Sequence, residues 1–133
     1  MSESLMRRKV LTVLRPLHGI PVENGSLPGT PDVNYVDGWI ELKYLDRWPK
    51  VPPERPILLG HFTAQQRLFL IQRERAKGKS WLMLKVGRDE WFLFTGQVAA
   101  AHVGRCTRAE LLIYAACYWP KGLNEMELIA CLS

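Results

Sequence analysis

Leu5, Leu11, Val13, Leu14 and Leu17 are interleaved with Arg7, Arg8, Lys9 and Arg15 from Glu3 to Leu17. This predicts an amphipathic helix, ended near Pro16 and Gly19. Ile20 to Asn24 then fits a short strand, and Asn24-Gly25-Ser26-Leu27-Pro28-Gly29 a loop. Thr30 to Tyr44 predicts a hairpin, with Asp37-Gly38 between Val33, Tyr35 and Val36 on one arm and Trp39, Ile40 and Leu42 on the other. Leu45 to Gly60 holds Pro49, Pro52, Pro53 and Pro56 and predicts a long loop, of a length often functional in compact domains. Thr63 to Lys77 predicts the clearest helix. Thr63 and Gln66 form a capping box, Leu68, Phe69, Leu70 and Ile71 supply a buried side, and Gly78 stands where the helix should end.

Trp81 to Val86 and Glu90 to Thr95 predict two strands joined at Gly87-Arg88-Asp89. Helices are expected at Gln97 to His102, Thr107 to Tyr118 and Glu125 to Leu132, with a second capping box at Thr107 and Glu110. No repeat or linker divides the chain. The order of helix, three strands, helix, two strands and helices predicts one α/β domain, a central mixed sheet flanked by helices. Residues 97–133 form a C-terminal helical extension in this reading.

With 133 residues the chain can bury one core, and its 47% hydrophobic and 23% charged residues are globular values. It lacks the apolar run of about 18 residues that a membrane span needs, so no membrane partner is expected. Arginine and lysine interrupt the first 17 residues, against a signal-peptide core. Cys106, Cys117 and Cys131 have no metal-ligand spacing and read as reduced, mostly buried thiols, which suits a cytoplasmic protein. A net charge of +5 permits a polyanionic partner such as nucleic acid, and equally suits a basic protein that is simply soluble.

Pro31-Asp32 followed by Glu41-Leu42-Lys43 carries the chemistry. With Asp37-Gly38 as a two-residue turn, Val36 faces Trp39, Asn34 faces Glu41 and Asp32 faces Lys43. Opposed residues and alternate residues share a sheet face, so Asp32, Glu41 and Lys43 project together, while Val33, Tyr35, Ile40 and Leu42 turn to the core. Asp32 and Glu41 are then diagonal neighbours able to share a metal. A three-residue loop would split the set. Oxygen ligands favour a hard cation, Mg²⁺ first and Mn²⁺ as substitute. Such a cation lowers the pKa of bound water and shields charge on a phosphodiester, and an adjacent lysine assists the water or the transition state. The motif arises by chance in roughly one chain in twenty of this length. Its weight comes from its place on the hairpin, against the alternative of a solvated ion-pair cluster.

At these residues the sequence resembles the PD-(D/E)XK nuclease superfamily. Asp32 stands at its first acidic position, Glu41 at the second and Lys43 at the lysine. Asn24-Gly25-Ser26 before Gly29-Thr30-Pro31-Asp32-Val33, then Trp39-Ile40-Glu41-Leu42-Lys43, Phe62-Thr63-Ala64-Gln65-Gln66 and Gly78 follow an order similar to its VRR-NUC and phage Holliday-junction-resolvase-like branch. The resemblance covers about Glu3 to Gly96. It implies a restriction-endonuclease-like core and magnesium-dependent cleavage of DNA, often branched DNA, by a commonly dimeric protein. Asp32, Glu41 and the backbone carbonyl of Leu42 would hold the metal, and Lys43 would assist water. Many members add an acid from the first helix, where Glu3 is the sole carboxylate. The exonuclease branch carries glutamine-x-x-x-tyrosine, whereas here Gln65 precedes Phe69 and Gln66 precedes Leu70. The tail after Gly96 carries no family motif.

Other residues have two readings. Gln66 either approaches the scissile phosphate or caps its helix. Ser26 contacts a phosphate or belongs to its turn. Arg47, Lys50 and Arg67 touch phosphates or are solvated charges. Trp48 stacks on an unpaired base or packs against the hairpin. His61 reads as a loop histidine. Three functions compete: a structure-specific endonuclease for Holliday junctions or other branched DNA, a restriction-type nuclease, and a non-catalytic nucleic-acid-binding module. Symmetric junction cleavage needs two active sites, hence a homodimer.

Overall fold

Ser2 caps the first helix, α1 (Glu3–Val13), its hydroxyl accepting from the Leu5 amide in the computed structural model, which describes residues 2–133. The helix ends at Val13, short of Leu17. Pro16 cannot donate to a further helical turn, and the chain tightens into a 3₁₀ turn over Arg15–Leu17, closed by His18 with a left-handed φ of 55°. Strand β1 (Ile20–Pro21) pairs with β2 (Val33–Tyr35), which turns into β3 (Gly38–Leu45). Helix α2 (Ala64–Arg75) follows, then β4 (Lys79–Val86), β5 (Glu90–Thr95), α3 (Gly96–His102) and α4 (Arg108–Tyr114). The chain closes with β6 (Cys117–Trp119) and α5 (Glu125–Leu132).

The six strands lie in chain order in one mixed sheet, antiparallel except for β3 and β4. Parallel neighbours need a long crossover, and the proline-rich loop with α2 provides it. Period-2 alternation divides the core. Val33, Tyr35, Ile40, Leu42, Met83, Trp91 and Leu93 meet Met6 and Val10 of α1 and Leu128 and Leu132 of α5. Leu82, Leu84, Val86, Phe92 and Phe94 meet Leu70 of α2, Ala99 of α3 and Leu111 of α4 on the opposite face. The architecture is α/β, with helices on both faces.

Three expectations are corrected. The segment expected as one helix from Thr107 to Tyr118 breaks after Tyr114, and Cys117–Trp119 becomes a sixth strand on the edge beside β5. Trp91 and Phe92 provide its partners in register, a non-local pairing that outweighs local helical spacing. Residues 97–133 are therefore not purely helical, and they contribute to both core clusters. Second, α2 is closed by Lys77 in the left-handed conformation (φ 74°), one residue before Gly78. Third, Tyr35 pairs with Gly38, so Val36 and Asp37 form the turn in place of Asp37 and Gly38. Gly38 lies against β4 so closely that a Cβ would overlap the Lys79 carbonyl, which holds it in the strand.

Candidate active site

The register correction moves the hairpin pairing by two positions. Val33 faces Ile40 and Asn34 faces Trp39, so the next pair places Asp32 opposite Glu41. A shift of two preserves the sheet face, where a shift of one would have reversed it. Asp32, Glu41 and Lys43 therefore remain together, with the acids directly opposed instead of diagonal. Glu41 and Lys43 stand in register with Leu82 and Leu84 of β4, on the face covered by α2. This location buries them, at 2% and 4% exposure.

These side chains border a cavity of about 430 Å³ shared with Glu3, Ser4 and Arg7 of α1, and with Leu42, His61 and Gln66. The Asp32 carboxylate accepts from the Leu42 amide at 2.9 Å, which ties the residue before β2 to the middle of β3. Lys43 donates to the His61 carbonyl at 2.9 Å, and its amine lies 5.7 Å from the Phe62 ring centre. His61 Nε2 stands 3.8 Å from Glu3 Oε1, bringing the α1 acid to the mouth of the same cavity. Burial, then the Asp32 charge and a hydrogen bond with Asp32, push the Glu41 carboxyl up to about 9. Burial drives the Lys43 ammonium below its ordinary range, against the pull of Glu41 and Asp32. His61 is lowered as well, by burial first and Lys43 second.

Glu41 Oε2 is buried with no hydrogen-bond partner among the described residues. An orphaned buried acceptor costs about 1–3 kcal/mol, and a cation beside it would remove that cost and the pressure to protonate. Among the described residues no three His, Cys, Asp or Glu side chains are grouped as a metal centre. A metal here would rest on Asp32, Glu41, the Leu42 carbonyl and water. That set fits Mg²⁺, which keeps several waters and takes one or two carboxylates.

Gln66 closes the first turn of α2 beside the cavity. Its Oε1 accepts from the Thr63 amide at 3.0 Å in a complete capping box, and the residue also borders the cavity. Ser26, Arg47, Lys50 and Arg67 do not line it. The Ser26 amide bonds to Asn24 Oδ1 in an exposed turn. Arg47 is 80% exposed and pairs with Asp46, while Lys50 is exposed on the proline-rich loop. Arg67 is committed elsewhere: its guanidinium lies 4.2 Å from the Phe62 ring centre and donates to the Ala99 and Ala100 carbonyls. These contacts make the half-buried guanidinium a fastening between α2 and α3. Trp48 is likewise packed, between Arg108 and Phe92, with its indole N–H donating to Glu90.

Sequence reasoning gave no role to Ser4 or Arg7 and left His61 as a loop residue. The signal for the first two was present, because Glu3, Ser4 and Arg7 fall on one side of a helical turn. For His61 there was none, since a long loop brings it back to the hairpin.

No protein-family model matches the chain, and a search of curated proteins finds no match. Among solved structures the chain is similar to the Holliday junction resolvase Hjc of Archaeoglobus fulgidus, an archaeal hyperthermophile. The two are 19% identical, with a TM-score of 0.46 over 72% of this chain and 74% of the other.

Proposed function

We propose that the protein is a divalent-metal-dependent phosphodiesterase. More particularly, it is an endonuclease of DNA, acting on Holliday junctions or other branched forms. The observation that carries the reading is the buried pair of opposed carboxylates, one oxygen without a partner, with a lysine two residues along the same strand. The branched substrate rests on the motif order from Asn24 to Gly78 and its resemblance to the junction-resolvase-like nucleases.

In this mechanism Asp32 and Glu41, with the Leu42 carbonyl, would hold Mg²⁺ or Mn²⁺. The bound ion supplies an activated water and charge shielding at phosphate. The Leu42 amide fixes the Asp32 carboxylate in place. Lys43, directed by the His61 carbonyl, puts a single amine at the cavity wall to orient water or stabilise charge on the phosphorane oxygens. Glu3 stands as a further acid at the mouth, and Gln66 lines the same cavity, where it would approach the phosphate. A homodimer would supply the two sites that paired strand cuts require.

The test is incubation of labelled four-way junction, fork and linear duplex with the protein in Mg²⁺ or chelator, beside Asp32→Asn and Lys43→Ala. The junction or fork should be nicked in Mg²⁺ only, and each variant should lose about 100-fold or more. Metal-independent activity, or activity that survives both substitutions, would place the chemistry elsewhere. DNA binding without any cleavage would leave a binding module. Preferred cutting of linear duplex at one sequence would make it a restriction-type nuclease.

A further inference from the structure

Beside the acid pair, the same hairpin face carries a second opposed pair, Asn34 and Trp39. It borders a separate cavity of about 260 Å³, with His18, Asp37, Arg73 and Lys79 around it. The half-buried Trp39 ring meets Phe69 edge-on, with centres 5.4 Å apart and planes at 70°. The exposed Arg73 guanidinium lies over both rings, 5.4 Å from the centre of Trp39 and 4.8 Å from that of Phe69. Among the described residues no carboxylate forms an ion pair with Arg73.

We propose that this cleft is a subsite for an unpaired nucleotide of the DNA strand held at the acid pair. Its base stacks on the surface made by Arg73 and Trp39, and its phosphate faces Lys79. The assignment deepens the nuclease reading and rests on it. A guanidinium spread over aromatic rings is flat and cationic, and nucleobases stack on such surfaces without regard to sequence. Arg73 and Lys79 outweigh Asp37, the one carboxylate among the described residues that line the cavity, so a phosphate is favoured there. Spacing agrees. One pair to the next along the hairpin face is roughly 6.8 Å, twice the ~3.4 Å rise of stacked nucleotides. A base at Trp39 is therefore a close neighbour in the chain of the phosphate over Asp32 and Glu41. A base inside a duplex has both faces covered, so the subsite selects unpaired nucleotides at a fork or junction.

Binding is measured by fluorescence anisotropy, with calcium in place of magnesium, on a fork carrying 2-aminopurine in its unpaired arm and on a blunt duplex of equal length. Arg73→Gln and Trp39→Leu should each weaken fork binding about tenfold, and weaken duplex binding by clearly less. Trp39→Phe should keep most of the fork affinity. The native protein should quench 2-aminopurine, and Arg73→Gln should not. Arg73 is exposed, so Arg73→Gln remains informative even where Trp39→Leu unfolds. Native fork affinity and quenching in Arg73→Gln would overturn the subsite, as would equal losses on both DNAs, which describe a plain phosphate contact. Either result leaves the nuclease reading intact if Asp32→Asn still abolishes cleavage. A native protein that cuts no DNA in Mg²⁺ sinks both.

Discussion

Glu41 is held in an environment that resists its charge. Its carboxyl keeps a proton up to about pH 9 in the folded chain but gives it up near 4.5 when unfolded. Between those values the folded state binds the extra proton, so folding stability falls as pH rises through the window, by at most ~1.4 kcal/mol per unit. Lys43 is shifted downward and acts with the opposite sign nearer the range of free lysine, so the Glu41 slope is best read from roughly pH 5 to 7. Thermal melts of the metal-free protein should show a falling Tm over that interval. Glu41→Gln should flatten the profile and raise Tm at the upper end, because the amide stays neutral. A divalent ion takes the proton's place, so Mg²⁺ should raise Tm more at pH 8 than at pH 5. A native profile as flat as that of the variant would mean that Glu41 is already ionised and solvated.

Among the elements, α2 connects stability to the site. Thr63 and Gln66 exchange hydrogen bonds at its first turn, and Gln66 also borders the cavity of the acid pair. Thr63→Ala should cost about 1 kcal/mol, a Tm drop of about 4 °C. Gln66→Ala should cost a comparable amount of stability and lower cleavage well beyond Thr63→Ala. If the two variants lose activity equally, Gln66 only caps its helix. At the hairpin, Gly38 has no room for a Cβ beside Lys79, so the turn can form only one position earlier than the Asp37-Gly38 signal suggests. The periodic signal named the correct strands, and close backbone contact with β4 chose their register.

The sheet as a unit depends on the end of the chain. Leu128 and Leu132 of α5 are fully buried against β2 and β3, and the Tyr35 hydroxyl donates to the Leu132 carbonyl at 2.8 Å. Trp81 in turn donates to the Tyr35 oxygen. Removing 125–133 would expose the α1 side of the core and strand this network. The truncated chain should lose its cooperative thermal transition by circular dichroism or accumulate as aggregate. A truncated protein that melts within a few degrees of the full chain would make α5 a dispensable appendage.

Strand and helix placement was legible in sequence because local periodicity and capping are local physics: α2, β4 and β5 lie close to where Thr63, Trp81 and Glu90 put them. The association of Asp32, Glu41 and Lys43 was legible too, since a strand alternates its faces whatever its partner does. Tertiary structure decided what depends on distant atoms. It chose the Tyr35–Gly38 pairing through contact with β4, and turned Cys117–Trp119 into a strand by offering it the edge of β5. It brought His61 and the first turn of α1 to the acids, and it spent Arg67 on the carbonyls of α3. Sequence spacing carries no record of such meetings, because their energy arises only when separate segments exclude water from each other.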